Sequence, residues 1–311
     1  MIGMNKSGIQ LQRQLKLARN HWQFYLIFLL PFLYFVIFKY IPMYGLVLAF
    51  KKYRVSRGIL GSPWVGLDHF IRFFQSPTSM QVVMNTFILS LYTIIASFPL
   101  AVLLAISLNE AVNKKWKKTV QLVTYAPYFI STVVMVAILF QMLDPRIGVL
   151  NRFLELVGLQ PVNFMGEASW FRHIYVWSGV WQTTGYNAII YLAALTAISP
   201  ELYEAAIVDG ATKFQRIRHI DLPGITPTII IMLILNMGYV MSVGFEKSYL
   251  MQNPLNLETA EIMSTYVYRV GLLNTDYSFS TAIGLINSLI NLILILCFNS
   301  AARKMGDTSL W

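Results

Sequence analysis

Charge is what this sequence lacks. Only 12% of its 311 residues are Asp, Glu, Lys or Arg, about half of the roughly 25% found in soluble domains. Cysteine is nearly absent: the single Cys297 excludes an internal disulfide and a cysteine-based zinc site. The four histidines, His21, His69, His173 and His219, fall outside the apolar stretches, and no two have ligand spacing on one helix, which argues against a metal centre. No G-x-x-x-x-G-K-[ST] occurs, so the chain has no loop to cradle a nucleotide phosphate. No nucleophile stands beside a base, which leaves catalysis without support. What is abundant is apolar: 56% hydrophobic residues and a mean hydropathy of +0.57. A net charge of +10 is also found in nucleic-acid binders. The cations, however, punctuate long uncharged stretches instead of clustering on a polar surface, so the solvent of this protein is lipid.

Five stretches hold no charged residue: 82–108, 119–143, 174–198, 223–245 and 277–302. A sixth, 24–50, is interrupted only by Lys39. Each exceeds the roughly 20 residues a helix needs to cross a bilayer core. Backbone polar groups in lipid must be satisfied within the segment, so the expected fold is all-α with six membrane spans. The first span is longer than the roughly 7–15 apolar residues of a signal peptide and reads as a retained helix. Residues 1–23 precede it. There Ile9, Leu11, Leu15, Ala18 and Trp22 lie near one helical face with Arg13, Lys16 and Arg19 among them, an interfacial helix; a disordered basic tail is the alternative. Residues 303–311 form a short tail. Six spans put both termini on one side, and the compact cluster Lys114, Lys115, Lys117 and Lys118 makes that side cytoplasmic. Lys51, Lys52, Arg54 and Arg57 then face outward, against the trend and without an assigned role.

The inner segment 199–223 reads SPELYEAAIVDGATKFQRIRHIDLP. Ser199, Pro200 and Glu201 suit a helix start, and Gly210 permits a turn other residues resist. A second amphipathic helix follows, with Phe214, Ile217 and Ile220 near one face, expected to stop before Pro223. Helix, glycine turn, helix: a rigid docking element beneath the membrane.

Its spacing resembles the EAA loop of ABC importer permeases. Glu204-Ala205-Ala206, Gly210 and Ile220-Asp221-Leu222-Pro223 fill every named position, and Asp209, Ala211 and Gln215 are similar to the form common in sugar importers. The resemblance covers nearly the whole chain. Residues 39–45 and 61–67, the stretch from Ser264 to Arg269, Tyr277 to Ser280, and the ending Ser309-Leu310-Trp311 are similar to the LplB-like branch, associated with complex oligosaccharides and polysaccharide fragments. The resemblance implies a type I importer permease in a bacterial cell membrane, paired with a second homologous permease subunit. It implies two ATPase subunits that carry ATP and magnesium, with no cofactor in this chain, and an extracellular sugar-binding protein. By the same analogy Glu204 contacts the ATPase, Gly210 sets the turn, and Ala205 and Ala206 allow close helix approach.

A sugar path through lipid needs inward amides, hydroxyls and aromatic faces. The candidates are Trp181, Gln182, Asn187, Asn236, Tyr239 and Asn287, with Asn85, Tyr125, Tyr128, Trp177, Tyr186 and Asn291 in a wider set. Each has a competing reading as a hydrogen-bonding link between helices, and Trp177 as part of an interfacial aromatic belt. Pro31, Pro99 and Pro127 lie inside spans as candidate bends. A gradient-driven secondary transporter or channel is the alternative function. Such carriers usually hold carboxylates near the midplane, where this sequence has none; Glu246 and Lys247 at a span edge come nearest.

Overall fold

The computed structural model describes residues 20–238 and 240–305, and among these the chain is helical without a β-sheet; a lone antiparallel bridge joins Lys51 and Trp64. The segment before residue 20, with its expected interfacial helix, lies outside the described residues, as do Tyr239 and the last six residues. Among the described residues four helices are long and apolar enough to cross a membrane, or five when one bent pair is taken as a single span.

Helix α1 (Trp22–Phe50) is continuous but changes winding, from α to a π turn over Val36–Tyr40 and then to 3-10 over Tyr44–Phe50. Its first part buries no residue against the rest of the chain. The π turn has a local cause. Proline lacks an N–H, and its ring collides with the carbonyl four residues back. Immediately before Pro42 the ladder shifts to an i→i−5 bond, Ile41 N–H donating to Val36, which widens the helix ahead of the ring. The same device precedes Pro223: Leu222 N–H donates to Ile217 at the end of the π turn Ile217–Asp221. This corrects the expected stop before Pro223. The loop's second helix and the following span form one helix, Lys213–Met237, because the widened turn accommodates the proline.

Beyond α1, a short helix α2 (Asp68–Gln75) leads into α3 (Pro77–Asn109). The expected span at 119–143, with Pro127 its candidate bend, is built of α4 (Lys114–Phe129) followed by α5 (Thr132–Met142), set at 99° to each other. Pro127 opens a 3-10 turn, Ile130 and Ser131 are extended, and the Ser131 hydroxyl caps α5 at Val134 N–H. Helix α6 (Ala168–Thr196) packs along α3 as the central pair. At 29 residues it is long enough to span, and its many tryptophans and tyrosines make it less apolar than the others. The loop helix α7 (Pro200–Val208) follows, then α8 (Lys213–Met237). Helix α8 ends earlier than the expected 245, because the chain from Gly238 turns away to α9 (Phe245–Met251) and α10 (Met263–Tyr268) before α11 (Tyr277–Met305).

Small residues bring the C-terminal halves of α3 and α6 together, with Ala101, Ala105 and Ala188 buried beside Tyr191, Leu195 and Ile225. Helices in lipid gain little from apolar burial alone, so close van der Waals approach and polar links hold them. Gly185 shows the closeness: a Cβ there would lie 2.0 Å from the Thr124 carbonyl oxygen on α4. Polar links fix the irregular segment between α8 and α11. Asn85 Nδ2 donates to the carbonyls of Glu258 (2.7 Å) and Glu261 (3.1 Å), and its Oδ1 accepts from Arg172 at 2.8 Å. Thr86 accepts from Met263 N–H at 2.8 Å, and Asn291 from Met241 N–H at 2.9 Å. Arg269 grips the buried Glu261 with two bonds of 2.6 and 2.8 Å.

Candidate functional site

The EAA loop is a helix–turn–helix built from local capping chemistry. Pro200 occupies the first position of α7, and Ser199 precedes it without making a side-chain cap bond. The far end of α7 closes as a Schellman motif: Ala211 N–H donates to Ala206 (2.8 Å) and Gly210 N–H to Ile207 (3.0 Å), with Gly210 at φ 74°. That backbone region costs a residue with a Cβ about 1–2 kcal/mol, which explains glycine there. Thr212 then starts α8 with a capping box, its hydroxyl accepting from Gln215 N–H while Gln215 Oε1 accepts from Thr212 N–H at 2.7 Å. Turn and cap abut, so the two helices meet at a defined angle with no slack residue between them.

The loop presents Glu204, Ala205 and Asp209 to solvent, together with large apolar side chains. Leu202, Ile207, Val208 and Phe214 are all exposed, Val208 at 87%. An apolar patch beside free carboxylates on a rigid turn suits a protein partner. Ala206 and Ile220 are half-buried, while Leu222 and Pro223 are exposed.

Beneath the patch lies polar chemistry that the motif does not announce. Asp221 is fully buried, and the Tyr203 hydroxyl donates to its carboxylate. Burial, the Asp221 charge and the nearby Glu110 all push the Tyr203 phenol above its ordinary pKa, so it remains a donor. Arg216 pairs with Glu110, at the C-terminal end of α3, at 3.5 Å. Tyr203 and Asp221 are eighteen residues apart and Arg216 is more than a hundred from Glu110, spacings that carry no sequence signal.

The expected path residues separate into different environments. Gln182 Nε2 donates to the Ile130 carbonyl at 2.8 Å, satisfying the backbone exposed by the α4–α5 break. Trp181 borders an apolar cavity of about 470 Å³ between α5 and α6, with Met135, Leu139 and Trp177. Asn187 and Asn236 share a small recess with Ser97 and Tyr191. Asn287 lines a cavity of about 560 Å³ with Phe245, Ser264, Tyr268 and Tyr277, and its Oδ1 is buried without a hydrogen-bond partner. The rings of Phe245, Tyr249 and Tyr268 pack mutually at 5.1–5.3 Å beside that cavity. Tyr128 and Tyr186 stack in parallel at 3.7 Å.

Two lysines behave unlike their neighbours. Lys51, expected in the outward basic cluster, is buried: its ammonium donates to the carbonyls of Ile59 (2.9 Å) and Leu60 (3.0 Å) and sits over the Trp64 ring. Lys52, Arg54 and Arg57 remain exposed. Lys247, on α9 between the long helices, donates to the Tyr175 carbonyl at 2.8 Å and lies 4.7 Å from that residue's ring centroid. Among the described residues no carboxylate pairs with it, and burial lowers its pKa from 10.5 to about 8. No group of three potential metal ligands occurs among the described residues.

Long apolar helices, an EAA loop and a recessed polar anchor define a transport permease. The chain belongs to the binding-protein-dependent transport system inner membrane components, whose family pattern matches residues 97–306. It is 42% identical to the polygalacturonan/rhamnogalacturonan transport system permease protein YteP of Bacillus subtilis, over 92% of this chain and 89% of that one. It is 40% identical to protein LplB of the same organism, over 95% and 92%. A crystal structure of a bacterial alginate ABC transporter, in complex with alginate pentasaccharide-bound periplasmic protein, contains a chain of 39% identity. It superposes with a TM-score of 0.88 over 95% of this chain and 99% of that one. The protein is therefore a multi-pass inner membrane component of a bacterial ABC transport system, a class of non-catalytic membrane subunits.

Proposed function

We propose that this chain forms half of the translocation pathway of an ATP-driven importer for oligosaccharides cut from acidic polysaccharides. The observation that carries the reading is the EAA loop: a complete motif folded into a rigid turn with an exposed apolar patch and Glu204 free beside it. In this reading α7 and the start of α8 seat on a separate ATPase subunit, which holds ATP and magnesium. A second homologous permease subunit and an extracellular binding protein complete the machine. The relatives named for polygalacturonan and alginate support the acidic class, as do the exposed cations Lys52, Arg54 and Arg57 on the side opposite the loop. Six spans with cytoplasmic termini follow when the bent α4–α5 pair counts as one span and α6 as another. The positive cluster at 114–118 supports that orientation. The cavity at Asn287, with its aromatic wall and unpartnered amide oxygen, is the strongest candidate for sugar contact; Trp181, Asn187 and Asn236 are weaker ones.

Reconstitution of the chain with its partner permease, ATPase and binding protein in liposomes tests the reading. ATP hydrolysis should rise when the binding protein carries uronate oligosaccharides and stay basal with neutral glucans. Equal stimulation by both would refute the acidic class, and failure to recruit any ATPase would refute the coupled importer.

A further inference from the structure

The loop joins α6 to α8 and is held by both. Here it has a third attachment. Glu110 closes the C-terminal end of α3, its N–H bonded to Ile106, and its carboxylate meets Arg216 of α8 at 3.5 Å. Both side chains are largely buried, at 16% and 17% exposure. Asn109, the last residue of α3, lies beside Tyr203 of α7, and Tyr203 donates to the buried Asp221 of α8. Three elements thus converge: α3 through Asn109 and Glu110, α7 through Tyr203, and α8 through Arg216 and Asp221.

The cluster is also under-bonded. Arg216 Nε and Asp221 Oδ2 are buried without hydrogen-bond partners. Buried polar groups are nearly always paired, so an unpaired donor and acceptor in one cluster call for a reason. The two residues lie five apart across the π turn Ile217–Asp221, whose i→i+5 geometry sets such positions on a common side of the helix.

We propose that Glu110, Tyr203, Arg216 and Asp221 form a polar joint that carries displacement of the loop into the C-terminal end of α3, and through α3 into its central partner α6. They are positioning residues: none need touch sugar or nucleotide. The unused Arg216 donor and Asp221 acceptor are the valences through which the joint re-pairs when the loop tilts, keeping α3 attached in both arrangements. A fully bonded cluster would resist that motion, and an apolar one would slip. The inference rests on the importer function proposed above.

The test uses the complete reconstituted complex and reads sugar imported per ATP hydrolysed. Glu110→Arg and Arg216→Glu each place like charges in a mostly buried pair, and each should lower that ratio by about tenfold or more while the ATPase still co-purifies. The double exchange Glu110→Arg/Arg216→Glu should restore the ratio to within about threefold of the parent, a rescue expected of a direct charge pair. Tyr203→Phe, nearly isosteric, serves if a charge variant fails to assemble, and should also lower the ratio. Single variants with a normal ratio, or a double exchange no better than the poorer single variant, would overturn the joint. A parent complex that couples normally while these variants do too refutes only this inference. A parent chain that recruits no ATPase refutes the importer reading and the joint with it.

Discussion

Replacing Lys247 with methionine should stabilise the protein. The ammonium sits in the packed region between α9 and α6, with a carbonyl and a tyrosine ring for company and no carboxylate paired with it among the described residues. Burial lowers its pKa from 10.5 to about 8. At about 1.4 kcal/mol per unit, holding the charge in the folded state costs about 3 kcal/mol relative to the unfolded one. Methionine keeps an unbranched chain of similar reach and removes the charge. It also removes a donor from the Tyr175 carbonyl, a loss of about 1 kcal/mol. The balance favours Lys247→Met by about 2 kcal/mol, a rise in melting temperature of about 4 °C in a domain of this size. The pH dependence gives a second readout. Below pH 8 both states carry the proton and the penalty is complete. Between about 8 and 10.5 the folded state has released a proton that the unfolded state retains, so parent stability rises with pH across that window and the penalty vanishes above it. The variant lacks this component but has also lost the Tyr175 hydrogen bond, so its advantage should shrink as pH rises, pass through zero inside that window, and become a deficit of about 1 kcal/mol above about pH 10.5. Thermal unfolding of purified parent and variant in detergent, from pH 7 to 10.5, measures both. A variant destabilised at pH 7, or a parent–variant gap independent of pH, would refute the reasoning.

Three further outcomes follow from the geometry. Gly185→Ala drives a Cβ to 2.0 Å from the Thr124 carbonyl oxygen, so α4 must move away from α6 at a cost of about 1–3 kcal/mol, read as a lower melting temperature. Gly210→Pro cannot reach φ 74° and deletes the N–H that caps Ile207, so sugar uptake should be lost while membrane insertion, measured by protease accessibility of tagged loops, stays intact. Gln182→Ala leaves the Ile130 carbonyl without its side-chain donor and should lower stability by about 1–3 kcal/mol with half-saturation for sugar unchanged. A shifted half-saturation without loss of stability would place Gln182 in the path instead.

The long apolar stretches were legible because lipid imposes one crude rule, length without charge, that composition records directly. The EAA loop was legible because its glycine and capping residues act over a few positions: Gly210, Thr212 and Gln215 do locally what their types suggest. Its continuation through Pro223 was not, since the proline rule names the clash and not the π turn that removes it. The break at Ile130 was equally hidden, because Pro127 inside an apolar run is compatible with either a bend or a fold-back. Amides proved hardest to assign. Asn85, Gln182 and Asn291 bond to backbone of distant segments, whereas Asn287 keeps a buried oxygen unpartnered. Nothing in residue type separates those cases. Lys51 shows the same limit for charge: three of the four basic residues in its cluster are exposed, and the fourth closes a turn from inside.

Asn85 also sets a clock for assembly. Its neighbours Thr86 and Ser90 can return their hydroxyls to carbonyls one turn back in their own helix, and so are satisfied as soon as α3 forms. The Asn85 amide instead finds its acceptor at Glu258, 173 residues later in the chain. At a synthesis rate of about 5–20 residues per second, that acceptor emerges roughly 10–35 seconds after Asn85 itself. For that interval a helix destined for the centre of the bundle waits with an unpaired amide, and the first contact to quiet its oxygen, from Arg172, arrives about halfway through. Newly made chains should therefore linger in a wet or chaperoned site before α3 takes its place.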